Sequence, residues 1–390
     1  MCEATLRAQP GPPALRLVRL TLSDFRNYPA LTWRPAGKIV AIFGPNGSGK
    51  TNLLEAISLL LPGRGLRGAR IAELARHGAA AWAVAGRFAT QAGETDIGTG
   101  TPPGGPPDRR VFRLDGATPR SSGEIAQRVA AVWLTPQMDR LFQEGSTGRR
   151  RFLDRLVYAL EPGHARETAA FDTAMAERNR LLADGRADPA WLAGLEEEMA
   201  RHAVAATAAR ASLVTRLNAT LADGAAGAFP AARMALLCPI AHRLATASAL
   251  AVEDWLRETL AAERVRDAAA GSAATGAHRA DMALADATTG LPAAQASTGQ
   301  QKALLVGVVL GHAALLAAAR GFAPLLLLDE PAVHLDPDRR SALFSALAAL
   351  PAQAFLTGTD RDTFLPLRPF AAGFRTGRDT LQFDPDFTPI

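Results

Sequence analysis

Residues 44–51 read GPNGSGKT, and no other stretch limits the possible folds so strongly. An apolar run, KIVAIF, leads into them. A helical pattern with Leu53, Leu54, Ile57, Leu60 and Leu61 on one side leads away. Strand, glycine turn and helix in that order form a loop for holding phosphates. Gly44, Pro45, Asn46, Gly47, Ser48 and Gly49 make the loop, and its glycines let backbone N–H groups converge on the phosphates of a nucleotide. The helix start near Lys50 adds the positive end of its dipole. Lys50 reaches the terminal phosphates as a compact charge, and the Thr51 hydroxyl suits Mg²⁺. ATP with Mg²⁺ is the expected cofactor pair. The plain alternative is a glycine turn with no ligand.

Composition agrees with a folded α/β chain. Of 390 residues, 48% are hydrophobic, enough for a substantial core. The net charge of +5 permits a nucleic-acid partner without requiring one. Lysine occurs only at Lys38, Lys50 and Lys302, and every other fixed side-chain cation is arginine. Cys2 and Cys238 make no disulfide framework, which fits a reducing compartment. The opening MCEATLRAQPGPP lacks the apolar core of a secretion signal, so a cytoplasmic protein is expected. Ala303–Ala319 is nearly long and apolar enough for a membrane span. His312 within it, and Gln300–Lys302 before it, favour a buried helix in a protein without membrane contact.

Along the chain, 15–22 read as a strand, 82–114 as a hairpin with a mobile glycine–proline tip, and 130–142 as a strand running into a turn. From about residue 149 the texture becomes helical. HARETAAFDTAMAERNRLLADG reads as one helix ending at Gly185, and Asp188-Pro189 as the start of the next. There Trp191, Leu195, Met199, His202, Ala206, Ala209, Leu213, Leu217 and Leu221 recur at three- and four-residue spacing, over about 50 Å at helical rise. An antiparallel helical hairpin is expected, too alanine-rich and too short for an extended coiled coil. After 280 the α/β texture returns. The expected organisation is a flexible tail over 1–14, an ATPase head over 15–148 and 276–390, and a helical insert over 149–275.

LLLLDEP places Asp329 and Glu330 at the end of a buried strand, the edge where ligands of open α/β sheets bind. Asp329 there can hold Mg²⁺, and Glu330 can polarise an attacking water. STGQQK, at 297–302, opens the apolar helix. Ser297, Gly299 and Gln300 offer a second anion site at a helix N-terminus, or simply a cap for that helix. Arg64, Arg67, Arg70, Arg149, Arg150 and Arg151 could face the phosphates of DNA, or form a solvated arginine face. No base-reading motif is visible, so any DNA binding is expected to follow shape and backbone rather than sequence.

Phosphate loop, STGQQ, strand-end Asp-Glu and the following Leu335-Asp336 together resemble the ABC-type ATPases. That resemblance implies an ATP-dependent homodimer in which the 297–300 loop of one copy caps the phosphates held by the other. It makes Asp336 an interface residue and Gln137, in TPQM, a sensor of Mg²⁺ and water. The histidine that the family places after the strand QAFLTGTD is missing; Thr357, Thr359 and Asp360 stand there, which implies slow hydrolysis.

Within that class, LTLSDFRNY (20–28), GRGLR (63–67), GSTGRRRFLD (145–154), GAHRADM (276–282) and STGQQKALL resemble, in order, segments of the bacterial RecF family. Gln137, Ala277 and the long glycine–proline tip depart from its usual pattern. The resemblance implies ATP-dependent binding of double-stranded DNA near gaps and single–double strand junctions. It further implies work with RecO and RecR to load RecA onto gaps coated with single-strand binding protein, in repair, the SOS response and replication restart. A chromosome-associated SMC-like clamp is the main alternative. A transporter ATPase subunit is disfavoured by the intermediate helical insert, the missing histidine and FRNY.

Overall fold

The structure is a computed structural model that describes residues 15–102, 104–185 and 188–388. The 1–14 tail, with Cys2, lies outside the described residues. The chain divides into two compact units. The first comprises 1–138, 225–229 and 305–390; the second comprises 139–224 and 230–304.

The first unit is built on a six-stranded sheet. Its interior strands are β3 (Ile39–Phe43), β10 (Leu325–Leu328), β11 (Ala354–Gly358) and β12 (Ala371–Thr376), and β7 (Ala131–Leu134) lies at an edge. The antiparallel β13 (Leu381–Asp384) closes one edge, and the order is β13-β12-β3-β11-β10-β7. The pairings from β12 to β7 are all parallel. Every residue of β3, β7 and β10 is buried, the uninterrupted apolar pattern of strands covered on both faces. Parallel pairing sends the C-terminal ends of β3, β11 and β10 to one sheet edge.

An antiparallel sheet completes this unit, in the order β2-β1-β4-β5-β6. Its strands are β1 (Arg16–Phe25), β2 (Tyr28–Trp33), β4 (Ala83–Thr90), β5 (Gly93–Gly100) and β6 (Val111–Leu114). The stretch read as one hairpin is therefore a three-stranded meander. A tight turn between Thr90 and Gly93 supplies an extra reversal, and the glycine–proline segment links β5 to β6. Pro103, within that tip, lies outside the described residues.

The second unit is mostly helical. Its helices include α3 (Ser146–Leu160), α4 (His164–Asp184), α5 (Pro189–Ala222), α7 (Ala249–Ala262) and α8 (Arg264–Ala270). The strands β8 (Ala232–Leu237) and β9 (Asp281–Asp286) pair antiparallel beside them. Gly185 ends α4 with φ 66°, the left-handed stop that glycine makes easy. Asp188 caps α5 by accepting from the Ala190 N–H, and Pro189 occupies the first helical position. Along α5 the buried face carries Leu195, Met199, His202, Ala206, Leu213, Leu217 and Leu221. Trp191 does not join it and is 58% exposed; Leu192 points inward instead, three residues before Leu195. Helix α9 (Thr298–Arg320) passes from this unit into the first. It is the one described helix long and apolar enough to cross a membrane, but 83% of its apolar window is buried inside the protein, as a core helix would be.

Candidate functional site

The phosphate loop connects β3 to α1 (Lys50–Leu59). Gly44, Gly47 and Gly49 have φ of 154°, 77° and 100°, conformations that side-chain-bearing residues rarely adopt. Two of these glycines are also tight against neighbours. A Cβ on Gly44 would stand 2.5 Å from the Thr376 hydroxyl, and one on Gly49 would stand 2.6–2.7 Å from Asn27 and the Tyr28 hydroxyl. Lys50 is buried, and its Nζ donates to the Gly44 and Pro45 carbonyls at 2.8 and 2.9 Å. Burial lowers the proton affinity of this amine, while the Glu330 and Asp329 charges oppose that shift.

FRNY, met in the sequence only as a family marker, has a structural role. Phe25 pairs with Tyr28 across the β1–β2 turn, leaving Arg26 and Asn27 at its tip, with Arg26 at φ 54°. Arg26 donates twice to Glu55, at 2.7 and 2.8 Å, and so holds the flank of α1. Asn27 accepts from Asn52 on α1 and donates to the Arg378 carbonyl just after β12. Tyr28 donates to the Gly49 carbonyl at 3.3 Å; burial pushes its hydroxyl pKa up, so it stays a neutral donor. Ser48 and Thr376 share a 2.6 Å hydroxyl contact. Polar groups from two distant chain segments, 26–28 and 376–378, thus brace the loop and its helix.

Across the sheet edge, Asp329 follows β10. Its Oδ1 accepts from Thr51 Oγ1 at 2.9 Å and from Thr357 Oγ1 at 2.7 Å. The Thr357 oxygen in turn accepts from the Glu330 N–H at 2.9 Å. Thr357 therefore ties the two acids together, a role with no signature in sequence. It is the first residue of the stretch where the ABC family would carry histidine. Glu330 has φ 48°, a left-handed backbone uncommon for glutamate and of the kind found at functional sites. Thr51 and Asp329 present a hydroxyl and a carboxylate oxygen within one hydrogen bond. That all-oxygen pair fits Mg²⁺, which takes few protein ligands and keeps the rest for phosphate and water. No group of three or more acidic, histidine or cysteine side chains placed to hold a metal exists among the described residues.

Gln137 sits exposed in a 3₁₀ turn (Pro136–Arg140) that follows β7. The Asp329 N–H bonds to the Leu134 carbonyl, so this turn leaves the same sheet edge that carries the acids. Asp336 caps α10 (Pro337–Ala349) by accepting from the Arg339 N–H at 2.8 Å.

In the second unit, Ser297 and Gln300 bond each other's backbones. The Ser297 N–H donates to Gln300 Oε1, and the Gln300 N–H to Ser297 Oγ. This reciprocal capping box starts α9, and both residues are exposed. Lys302, one turn on, is 1% exposed and pairs with Asp139 at 3.3 Å.

The six arginines divide. Arg149 makes a two-pronged pair with Asp281, at 2.7 and 2.8 Å. Arg150 is half-buried and directs a donor at the Ala280 carbonyl. Arg67 bonds Asn52 and Glu55 on α1. Arg64, Arg70 and Arg151 are exposed and form no salt bridge among the described residues.

A family model described as the RecF/RecN/SMC N-terminal domain matches residues 16–368. The DNA replication and repair protein RecF of Mesorhizobium japonicum is 47% identical over 359 residues, which cover 91% of this chain and 94% of that protein. RecF of Rhizobium meliloti is 44% identical over 355 residues, 90% and 95% of the two chains. Among solved structures, the recombination mediator protein RecF-ATPrS of the RecFOR pathway superposes with a TM-score of 0.84 at 22% identity, over 96% of this chain and 99% of that one. The Smc head domain of Pyrococcus furiosus gives 0.51 at 15%, over 95% and 96%. At those identities the structural likeness speaks for the fold, an ABC-type ATPase head.

Proposed function

The chain belongs to the RecF family, and from that premise we propose that it is an ATP-dependent, DNA-binding recombination mediator. One observation carries the nucleotide part: Thr51, Asp329, Thr357 and Glu330 form a single hydrogen-bonded set at the sheet edge beside a braced phosphate loop. The loop N–H groups and Lys50 bind the phosphates of ATP, and Lys50 exchanges its two carbonyl partners for phosphate oxygens. Thr51 and Asp329, with Gln137 from the neighbouring turn, would hold Mg²⁺, which when bound neutralises phosphate charge. Glu330 accepts a proton from water as that water attacks the terminal phosphorus. The bond from phosphorus to the bridging oxygen breaks, and ADP and orthophosphate are the products. Thr357 acts through Glu330 as a positioning residue. Hydrolysis is slow, because no histidine stands in the stretch that carries Thr357, Thr359 and Asp360.

Ser297, Gly299 and Gln300 cap the phosphates bound by a second copy, with Asp336 at the contact. The capping box takes up the Ser297 and Gln300 N–H groups, and the Thr298 and Gly299 N–H groups between them, which have no intrahelical partner, support this reading. ATP thereby drives homodimerisation. DNA is held by Arg64, Arg70 and Arg151, the candidates not tied into internal pairs, without sequence readout. By family membership, the DNA is a gap or single–double strand junction, RecO and RecR are the partners, and RecA loading in the cytoplasm is the outcome.

The test compares wild type with Glu330→Gln. Turnover should fall by about 10²–10⁴-fold while ATP is still bound and the variant accumulates as an ATP-loaded dimer on gapped duplex DNA. A variant that hydrolyses ATP normally, or a wild type that stays monomeric at saturating ATP in sedimentation, would overturn the reading.

A further inference from the structure

Beside the acids lies a cleft of about 220 Å³, lined in part by residues that the hydrolysis scheme does not use. Glu330, His334, Arg340, Thr357, Thr359 and Thr363 line it. The volume is below the ~300–1,000 Å³ of pockets that hold drug-sized ligands, yet several waters of ~30 Å³ each would fit. That is room for a small ion with part of its hydration.

Its chemistry selects an oxyanion. Arg340 lies on the first turns of α10 and forms no salt bridge among the described residues. Its Nε is buried with no hydrogen-bond partner among them, and its one bond is a long 3.4 Å contact from Nη2 to the Leu335 carbonyl. A buried donor left open on a guanidinium is costly unless a ligand takes it. Thr359, Thr363 and His334 line the same cleft, while the Thr357 hydroxyl is already engaged by Asp329. His334 is held at φ 65°, and Glu330 at φ 48°, so two left-handed residues bracket the loop that forms one side. Guanidinium plus hydroxyls is the donor set of tetrahedral phosphate recognition.

We propose that this cleft binds inorganic orthophosphate, the product leaving the hydrolytic centre past Glu330. The inference rests on the ATP-hydrolysis reading above, because that reaction makes phosphate beside the same carboxylate. Within the cleft the Glu330 carboxylate repels a dianion and the Arg340 guanidinium attracts it, which draws product toward Arg340. The phosphate loop and this cleft are two separate phosphate sites.

Orthophosphate is titrated calorimetrically into nucleotide-free wild type, Lys50→Ala, Arg340→Gln and Arg340→Lys. Arg340→Gln should bind about tenfold or more weakly, the loss expected for a charge-assisted hydrogen bond. Arg340→Lys should recover part of that, and Lys50→Ala should retain the cleft's affinity. Thr363→Val gives a second probe should Arg340→Gln fold poorly, with a smaller loss expected. Equal binding by wild type, Arg340→Gln and Thr363→Val, or loss of all binding in Lys50→Ala, would overturn the assignment. ATP turnover is followed in parallel. Phosphate binding that depends on Arg340 in a wild type that hydrolyses no ATP would sink the functional reading but keep the anion site. Normal turnover with binding indifferent to Arg340 would do the reverse.

Discussion

The helical unit and the phosphate-binding sheet edge of the other unit bury charge in opposite ways. In the helical unit, buried charges are neutralised by partners of opposite sign. Arg178, fully buried, donates to Glu196, Asp267 and the Leu260 carbonyl, and Arg264 closes on the other side of Glu196. Arg210 holds both oxygens of Asp154, which also bonds His164. Burial alone would raise the Asp154 carboxyl, but those hydrogen bonds and charges outweigh it and hold it below its usual range. At the sheet edge of the other unit, Asp329 is met by neutral hydroxyls, and Lys50 by neutral carbonyls. Closed ion networks make a rigid scaffold with nothing left to bind. Charges matched only by neutral dipoles keep electrostatic capacity for phosphates and a cation.

The comparison can be broken at three places. Glu196→Ala should produce the largest change in stability, about 3–5 kcal/mol, because Arg178 and Arg264 lose a shared buried partner. Denaturant unfolding measures it; ATP affinity of the folded fraction should not change. A large effect on affinity instead would mean that the helical network is not merely scaffold. Arg26→Ala should cost less, about 2–3 kcal/mol, since Arg67 still faces Glu55. Because that arginine braces α1, this variant should also weaken ATP binding. Stability lost with affinity intact would show that the loop holds its shape without the turn.

Asp281→Asn should have the smallest effect, about 1 kcal/mol at neutral pH, as the pair with Arg149 is partly exposed. Its sign with pH is definite. The hydrogen bond from Arg149 holds the Asp281 carboxyl below its ordinary value, despite partial burial. A depressed folded pKa contributes stability above the unfolded value of about 3.9, and that contribution vanishes as pH falls through the folded value. Wild type should therefore lose this increment on acidification below about pH 4, and the variant should not. Unfolding midpoints at pH 7 and pH 3 test it, and an identical acid loss in both proteins would rule out the pair as its source.

Local signals account for what was legible from sequence. Gly185 stops α4 and Asp188-Pro189 starts α5 within four residues, so both boundaries could be read directly. The phosphate loop is equally local. Trp191 misled because it and Leu192 stand four and three residues before Leu195, and both spacings fit one helix face. The arginine triplet was read as a possible surface patch because Asp281, which engages Arg149, lies 132 residues away.

By itself, the sequence determined the phosphate loop, the strand-end acids, the long helix and the capped start of α9, since each depends on neighbours a few residues apart. Tertiary structure alone decided that Thr357 would link Asp329 to Glu330, that the FRNY turn would brace α1, and that Arg340 would face a cleft beside the acids. Parallel strands from distant parts of the chain meet there, and no periodicity in a sequence states which strand lies beside which.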